Sequence, residues 1–339
     1  MSVKLVELIR DSTVESIHRG SIVVVDSNRN ILYEAGNAEV PVFFHSSAKP
    51  LQAVAALEAG IAEKYGLDLK EIAVMSSSHI GEKEHIDTLK GIMGKIGVNE
   101  NALLCGIHEP YSKEAAKELI LAGLTPSTLH CNCSGKHLGL IAASKAKGLS
   151  IEDYYRAEHD IQKEVKKVIA EFSGTSSEDI VTAVDGCGIP VFGLPLKNMA
   201  LAFANLGNME FSGGKYSKSQ NYVISAMTLY PEMVAGNGRL DTEVIKRFGD
   251  RLLIKTGAEA VSCISLLGRA TGIALKIDDG AQRAIAPAVL ETLLQVGFIS
   301  REEAESMKDF WIPPVKNNKG EKVGELRADF KLKKPAAVQ

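Results

Sequence analysis

β-Branched runs gather near the two ends of this chain and are scarce between them, and that placement limits the folds open to it. Residues 19–27 and 30–36 read as two strands joined at Asn28-Arg29, a turn between runs rich in Ile and Val. Residues 260–267 and 271–277 repeat the pattern around Gly268-Arg269-Ala270, and a last strand is expected at 322–330, after Asn317-Asn318-Lys319-Gly320. Hairpins at both ends favour one antiparallel sheet assembled from the two termini, with the middle of the chain carried as an insertion. Apolar residues at about 3.6-residue spacing predict helices over 51–64, 83–95, 112–122, 137–147, 151–172, 196–206, 217–229 and 241–249. Short apolar strands are expected at 72–75 and 180–184, and helices 281–297 and 301–308 are expected to cover the terminal sheet. The expectation is an α/β chain of α+β type. A sheet lobe takes residues 1–45 plus 250–339 and a helical lobe residues 46–249, with a ligand site in the seam.

The 339 residues are 45% hydrophobic and 24% charged, enough for a sizeable core. Net charge is only −3 and no Lys/Arg block stands out, so neither nucleic acid nor an anionic membrane surface is an expected partner. No apolar run approaches the roughly 20 residues that span a bilayer. Glu7, Arg10 and Asp11 interrupt any signal-peptide core, which gives a cytoplasmic expectation. Five cysteines, an odd number in a large chain, argue against a disulfide framework. Cys263 lies in an apolar strand pattern and reads as a buried thiol, whereas glycine turns surround Cys133 and Cys187.

Reactive side chains concentrate in a few segments. His130 to His137 packs soft metal ligands, a hydroxyl and a cation into eight residues ahead of a helical run. In Ser46-x-x-Lys49, residues three apart on a helix share a face, so the lysine can reach the hydroxyl. A serine needs an adjacent base to be a nucleophile, and a lysine serves as one only when neutral, so other cations are expected nearby. The alternative is an N-cap serine beside a surface lysine. Ser78-His79 follows the apolar run 72–75 and precedes a helix; taken without the other motifs, it reads as helix capping. Lys255-Thr256-Gly257 stands before a strand, and with Ser46-x-x-Lys49 it resembles penicillin-recognising hydrolases and serine glutaminases. The third element of that signature, Ser219-Gln220-Asn221, falls in a helical pattern and late in the chain. Cys133-x-x-Lys136 and Asp185-x-Cys187 offer thiolates that suit zinc, or they are two half-buried thiols beside glycine turns.

Taken in order, Ser46-Ser47-Ala48-Lys49-Pro50, Ser78-His79-Ile80-Gly81-Glu82, His130 to His137, Asp185-Gly186-Cys187-Gly188 and Lys255-Thr256-Gly257-Ala258-Glu259 resemble the asparaginase II family, the Rhizobium etli type of L-asparaginase. The resemblance runs through nearly the whole chain. It implies a fold like serine β-lactamases and glutaminases, and hydrolysis of L-asparagine to L-aspartate and ammonia by two Ser-Lys tandems. Carried over by motif, these are Ser46 with Lys49 and Ser78 with Lys255. It further implies a zinc ion on Cys133, Lys136 and Cys187, with Asp185 and His137 lining the pocket, and a homodimer. His45, His79 and Lys136 are added as substrate-binding candidates. Two departures stand out: His45 where the family has arginine, and Cys131 where it has asparagine. The alternatives are a serine-dependent glutaminase or penicillin-type serine hydrolase, and a non-catalytic zinc module.

Overall fold

The computed structural model describes residues 1–335. Among the described residues eleven strands occur in chain order: β1 Val3–Arg10, β2 Thr13–Asp26, β3 Ile31–Ala35, β4 Pro41–Phe43, β5 Val181–Val184, β6 Pro190–Pro195, β7 Leu252–Gly257, β8 Val261–Leu266, β9 Thr271–Ile277, β10 Pro314–Lys316 and β11 Lys322–Ala328. Eight of them form one antiparallel sheet in the order β10-β11-β1-β2-β9-β8-β7, with β3 also paired to β2. The termini meet where β1 pairs β11, Val6 opposite Ala328, and the two hairpin regions meet where β2 pairs β9, Val24 opposite Ile273. The sheet built from both ends of the chain, with helices inserted between, is therefore the observed architecture.

Two stretches expected otherwise belong to this sheet. β1 escapes the strand pattern because Lys4 and Glu7 interrupt its apolar run; in the sheet, Lys4 is paired with Glu7 and Asp329. β10 is only three residues long, too short to carry an alternation signal. A second sheet, β4-β6-β5, lies within the largely helical middle segment, and its central strand β6 was not foreseen because its prolines at both ends read as loop.

Residues 72–75, expected as a strand, lie in the helix Leu69–Met75. Asp68 and Glu71 close a capping box at its start, and everything from Glu71 to Met75 is buried. A helix buried on every side shows no amphipathic period, so a short apolar run there reads as a strand. The helix expected from 151 begins at Asp160, capped by the His159 ring, and the run expected over 51–64 is broken by a left-handed Gly60.

Packing then brings the reactive segments together. Helix Lys49–Leu57 is buried along its whole length, against helices Ser134–Ala146, Asp160–Ser173 and Ser217–Leu229. The N-terminus of Ser134–Ala146 crosses the end of Leu69–Met75 at Gly135, where a Cβ would stand 2.1 Å from Val74 O. Only a glycine allows that approach, and it sets Cys133 and Lys136 beside the chain that leads to Ser78. On the sheet side, Leu196–Leu206 packs on β2, β8 and β9, and Ile285–Gln295 on β1, β8 and β11. Strand β7, at one end of the sheet order, borders the inserted helices. Among the described residues no helix is long and apolar enough to cross a membrane.

Candidate active site

After β4 the chain enters a 3-10 turn, His45–Ala48, which runs straight into helix Lys49–Leu57 with Pro50 in its first turn. His45 has φ +45°, a region that holds a non-glycine residue at a cost of about 1–3 kcal/mol. Its Nδ1 lies 3.2 Å from Asp185 Oδ1. Ser46 is half-buried, and Ser47 Oγ donates to Lys255 O at 2.9 Å, fastening the turn to β7. A Cβ on Gly257 would lie 3.2 Å from Ser46 N, so glycine keeps the space beside that amide clear.

The two lysines do not pair with the serines as the sequence motifs suggest. Lys49, fully buried, donates to Ser77 O, to Ser78 Oγ at 3.0 Å and to Asn132 O at 3.3 Å; none of these bonds goes to Ser46. A buried ammonium has three N–H groups to satisfy, and backbone carbonyls supply what one serine hydroxyl cannot. Lys255 donates to Thr256 O at 2.7 Å and to Asp241 Oδ2 at 3.3 Å, not to Ser78. Burial pushes its pKa from 10.5 down to about 8, against the pull of the Asp241 carboxylate and with the help of the Lys49 charge. Ser78 opens onto a cavity of about 320 Å³ that Asp241, Thr256, Arg239 and Arg283 also line.

On the other side of Lys49 lie the thiols. Lys136 Nζ donates to Cys187 Sγ at 2.9 Å, and all five cysteines are free and buried. The neighbouring Cys131 and Cys187 thiols hold the Cys133 thiol well below its ordinary pKa, whereas Cys133 and burial push that of Cys187 up. Burial opposes the Lys136 charge, but the thiols of Cys133 and Cys187 and the Asp185 carboxylate raise its pKa overall. Burial likewise opposes the Asp185 charge, and the His45 bond and Lys136 nevertheless hold its carboxyl below the usual range. His137 Nδ1 meets Tyr154 Oη at 2.6 Å, leaving Nε2 buried and without a partner; burial and Lys136 depress its pKa to about 3. Among the described residues no three His, Cys, Asp or Glu side chains are grouped to hold a metal. Two thiols and an amine do converge, a donor set that includes a lysine.

His45, Lys136, His137 and Asp185 thus gather on the thiol side, while His79 stands apart in its bonding. Its Nε2 meets Ser134 Oγ at 2.8 Å and its Nδ1 accepts from Gly81 N at 3.2 Å, so both ring nitrogens are used inside the fold. Burial, then His85 and Lys49, hold it neutral. Ser219 and Gln220 serve packing: Ser219 Oγ donates to Glu58, and Gln220 Nε2 to the carbonyls of Asn205, Leu206 and Asn208. Sequence reasoning missed Asp241 and Tyr154. Asp241 resembles any acid in a helical first turn, and Tyr154 falls in a segment whose turns mimic a helical period.

The model of the L-asparaginase II family matches residues 6–328. No curated protein matches the chain significantly. Among solved structures, Mglu in its native form matches at 13% identity and TM-score 0.37, over 84% of this chain and 66% of that one. Mglu in its L-glutamate binding form matches at 13% and 0.38, over 83% and 61%. This chain spans less than two thirds of the length of those two chains. A class C β-lactamase in complex with cefoxitin matches at 13% and 0.39, over 81% and 93%. Likenesses this distant say nothing about chemistry. The family match runs through every segment that builds the site, from the Ser46 turn to β7, and this chain belongs to the L-asparaginase II family, an amidohydrolase family.

Proposed function

We propose that the protein hydrolyses L-asparagine to L-aspartate and ammonia, with Ser46 as nucleophile and Lys49 as the base between two serines. The observation that carries this reading is the placement of Lys49. It begins the helix three residues after Ser46, and its Nζ already donates to Ser78 Oγ. With Lys49 neutral, Ser46 Oγ bonds to the side-chain amide carbon as its proton passes to Lys49 Nζ. The amide C–N bond then breaks, and a proton from Lys49 reaches the leaving nitrogen through Ser78 Oγ. Ammonia departs, an ester on Ser46 remains, and water cleaves it by the same route in reverse. Amides at the start of the Ser46 turn would stabilise the oxyanion, a role supported by the space that Gly257 leaves beside Ser46 N. Lys255, as deeply buried as Lys49, is the second amine of the site.

Asp185 provides a charge for the α-amino group, and the His45 ring bonded to it and the unpartnered buried His137 Nε2 are polar groups on the same side. The thiol pair fits zinc: Cys133 is already biased toward thiolate, and Cys187 and Lys136 lie in contact. Cys133, Cys187 and Lys136 would hold the ion, and its chemistry would be that of a Lewis-acid charge orienting a bound ligand. Lys136 ligates only as the neutral amine. A homodimer, in keeping with the family, is tested by sedimentation.

Ammonia release with asparagine and glutamine, beside cleavage of a chromogenic β-lactam, tests the substrate. Asparagine is expected to lead glutamine by roughly 10–200-fold, the worth of one methylene in a fitted pocket. Preferred turnover of glutamine or the β-lactam contradicts this reading, and zinc binding without any amide turnover makes the protein a metal module.

A further inference from the structure

Lys255 and Asp241 are among the most deeply buried charged residues in the molecule, at 0% and 1% exposure, and the mechanism above names only the first. Asp241 sits in the first turn of helix Leu240–Phe248, where the helix dipole favours a carboxylate. Its Oδ2 collects three donors from β7: Lys255 Nζ at 3.3 Å, Thr256 N at 3.0 Å and Thr256 Oγ1 at 3.0 Å. Its Oδ1 is buried with no hydrogen-bond partner among the described residues, and the residue lines the cavity onto which Ser78 opens. A carboxylate kept out of water with one oxygen unsatisfied is expensive unless the fold uses it.

We propose that Asp241 is a positioning residue for the reaction: through one oxygen it pins the Lys255 side chain and the Thr256 backbone to a single point on β7, and so decides where the second cation of the site stands. The charges that act most on Lys255 come from three residues. They are Asp241 from its helix, Lys49 from helix Lys49–Leu57, and Cys133 from the turn before Ser134–Ala146. Only Asp241 is hydrogen-bonded to it. Without that anchor Lys255 keeps its burial and its repulsion from Lys49 but loses its counter-charge. It then gives up its proton at lower pH and no longer presents a fixed charge to Lys49.

The test is Asp241→Asn, whose amide oxygen still accepts from Thr256 but carries no charge. NMR of the lysine side-chain signals, with Lys255 assigned through Lys255→Arg, is expected to show its titration midpoint lowered by about one pH unit or more. The role in turnover rests on the asparaginase reading. There kcat is expected to fall roughly 10–100-fold with KM little changed, and the Lys255 inflection in the pH profile to move with the NMR midpoint. An unchanged midpoint in folded Asp241→Asn overturns the proposal, because a merely structural aspartate leaves the lysine titration alone. Should that variant not fold, Thr256→Val keeps the carboxylate and frees one of its bonds. The Lys255 midpoint is then expected to rise, and no change there overturns the proposal equally. The titration needs no substrate, so its failure is distinct from a failure of the wild type to release ammonia from asparagine.

Discussion

Lys49→Met is expected to abolish turnover, lowering kcat by about 10³–10⁴-fold, while the protein folds. Positioned general bases contribute roughly 10²–10⁴-fold, and the Lys49 amine is bonded to Ser78 Oγ. The methionine fills a similar volume in a helix buried from end to end. Two effects on stability oppose each other. Removing a buried ammonium relieves its desolvation, whereas Ser77 O and Asn132 O lose their donor, at about 1–3 kcal/mol for each carbonyl left unsatisfied. A melting temperature within several degrees of wild type is therefore expected. Steady-state ammonia release and a thermal melt on the same sample check both parts; activity within tenfold of wild type removes Lys49 from the chemistry.

The second large effect is expected in Cys133→Ser combined with Cys187→Ser. If these thiols hold zinc, the double variant contains none after dialysis, and asparagine binds at least tenfold more weakly. It is also expected to be less stable, because Lys136 is buried against Cys187 and biased by the Cys133 thiolate. Stranding that ammonium costs about 3–5 kcal/mol. Adding Lys136→Met to the pair is expected to restore stability without restoring zinc, which separates the metal from the fold. Elemental analysis of the folded fraction decides the ligand assignment, and stoichiometric zinc in the double variant would sink it. Wild-type activity in a chelated, metal-free enzyme would leave the ion without a role in binding.

Much of this architecture was legible in the sequence, because strands exposed on one face and helices longer than two turns carry their period in their residues. Helix Lys83–Ile96 was plain for that reason, whereas β2 and β9, largely buried, were plain from β-branched runs beside turn residues. The period vanishes where an element is buried all round, as in Leu69–Met75, or too short, as in β10. At the site, motif spacing singled out both lysines and all three prospective metal ligands, since each stands beside a glycine, a proline or a second reactive group. It did not reveal who pairs with whom. Ser46-x-x-Lys49 implies a contact through shared helix faces, but the lysine turns toward the carbonyls of Ser77 and Asn132, which come from other segments. Asp241 was invisible for the same reason: its partner Lys255 is fourteen residues away on another element.

The central claim is that Ser46, and not Ser78, takes the acyl group from asparagine. Rapid-quench measurement of ammonia under single-turnover conditions, with enzyme in excess, tests it most directly in Ser46→Ala and Ser78→Ala. The account predicts no first-turnover ammonia from Ser46→Ala. Ser78→Ala is predicted to release ammonia slowly but in full, through a relay that water restores in part. Near-wild-type first-turnover release from Ser46→Ala, with none from Ser78→Ala, contradicts the account and makes the serine bonded to Lys49 the nucleophile.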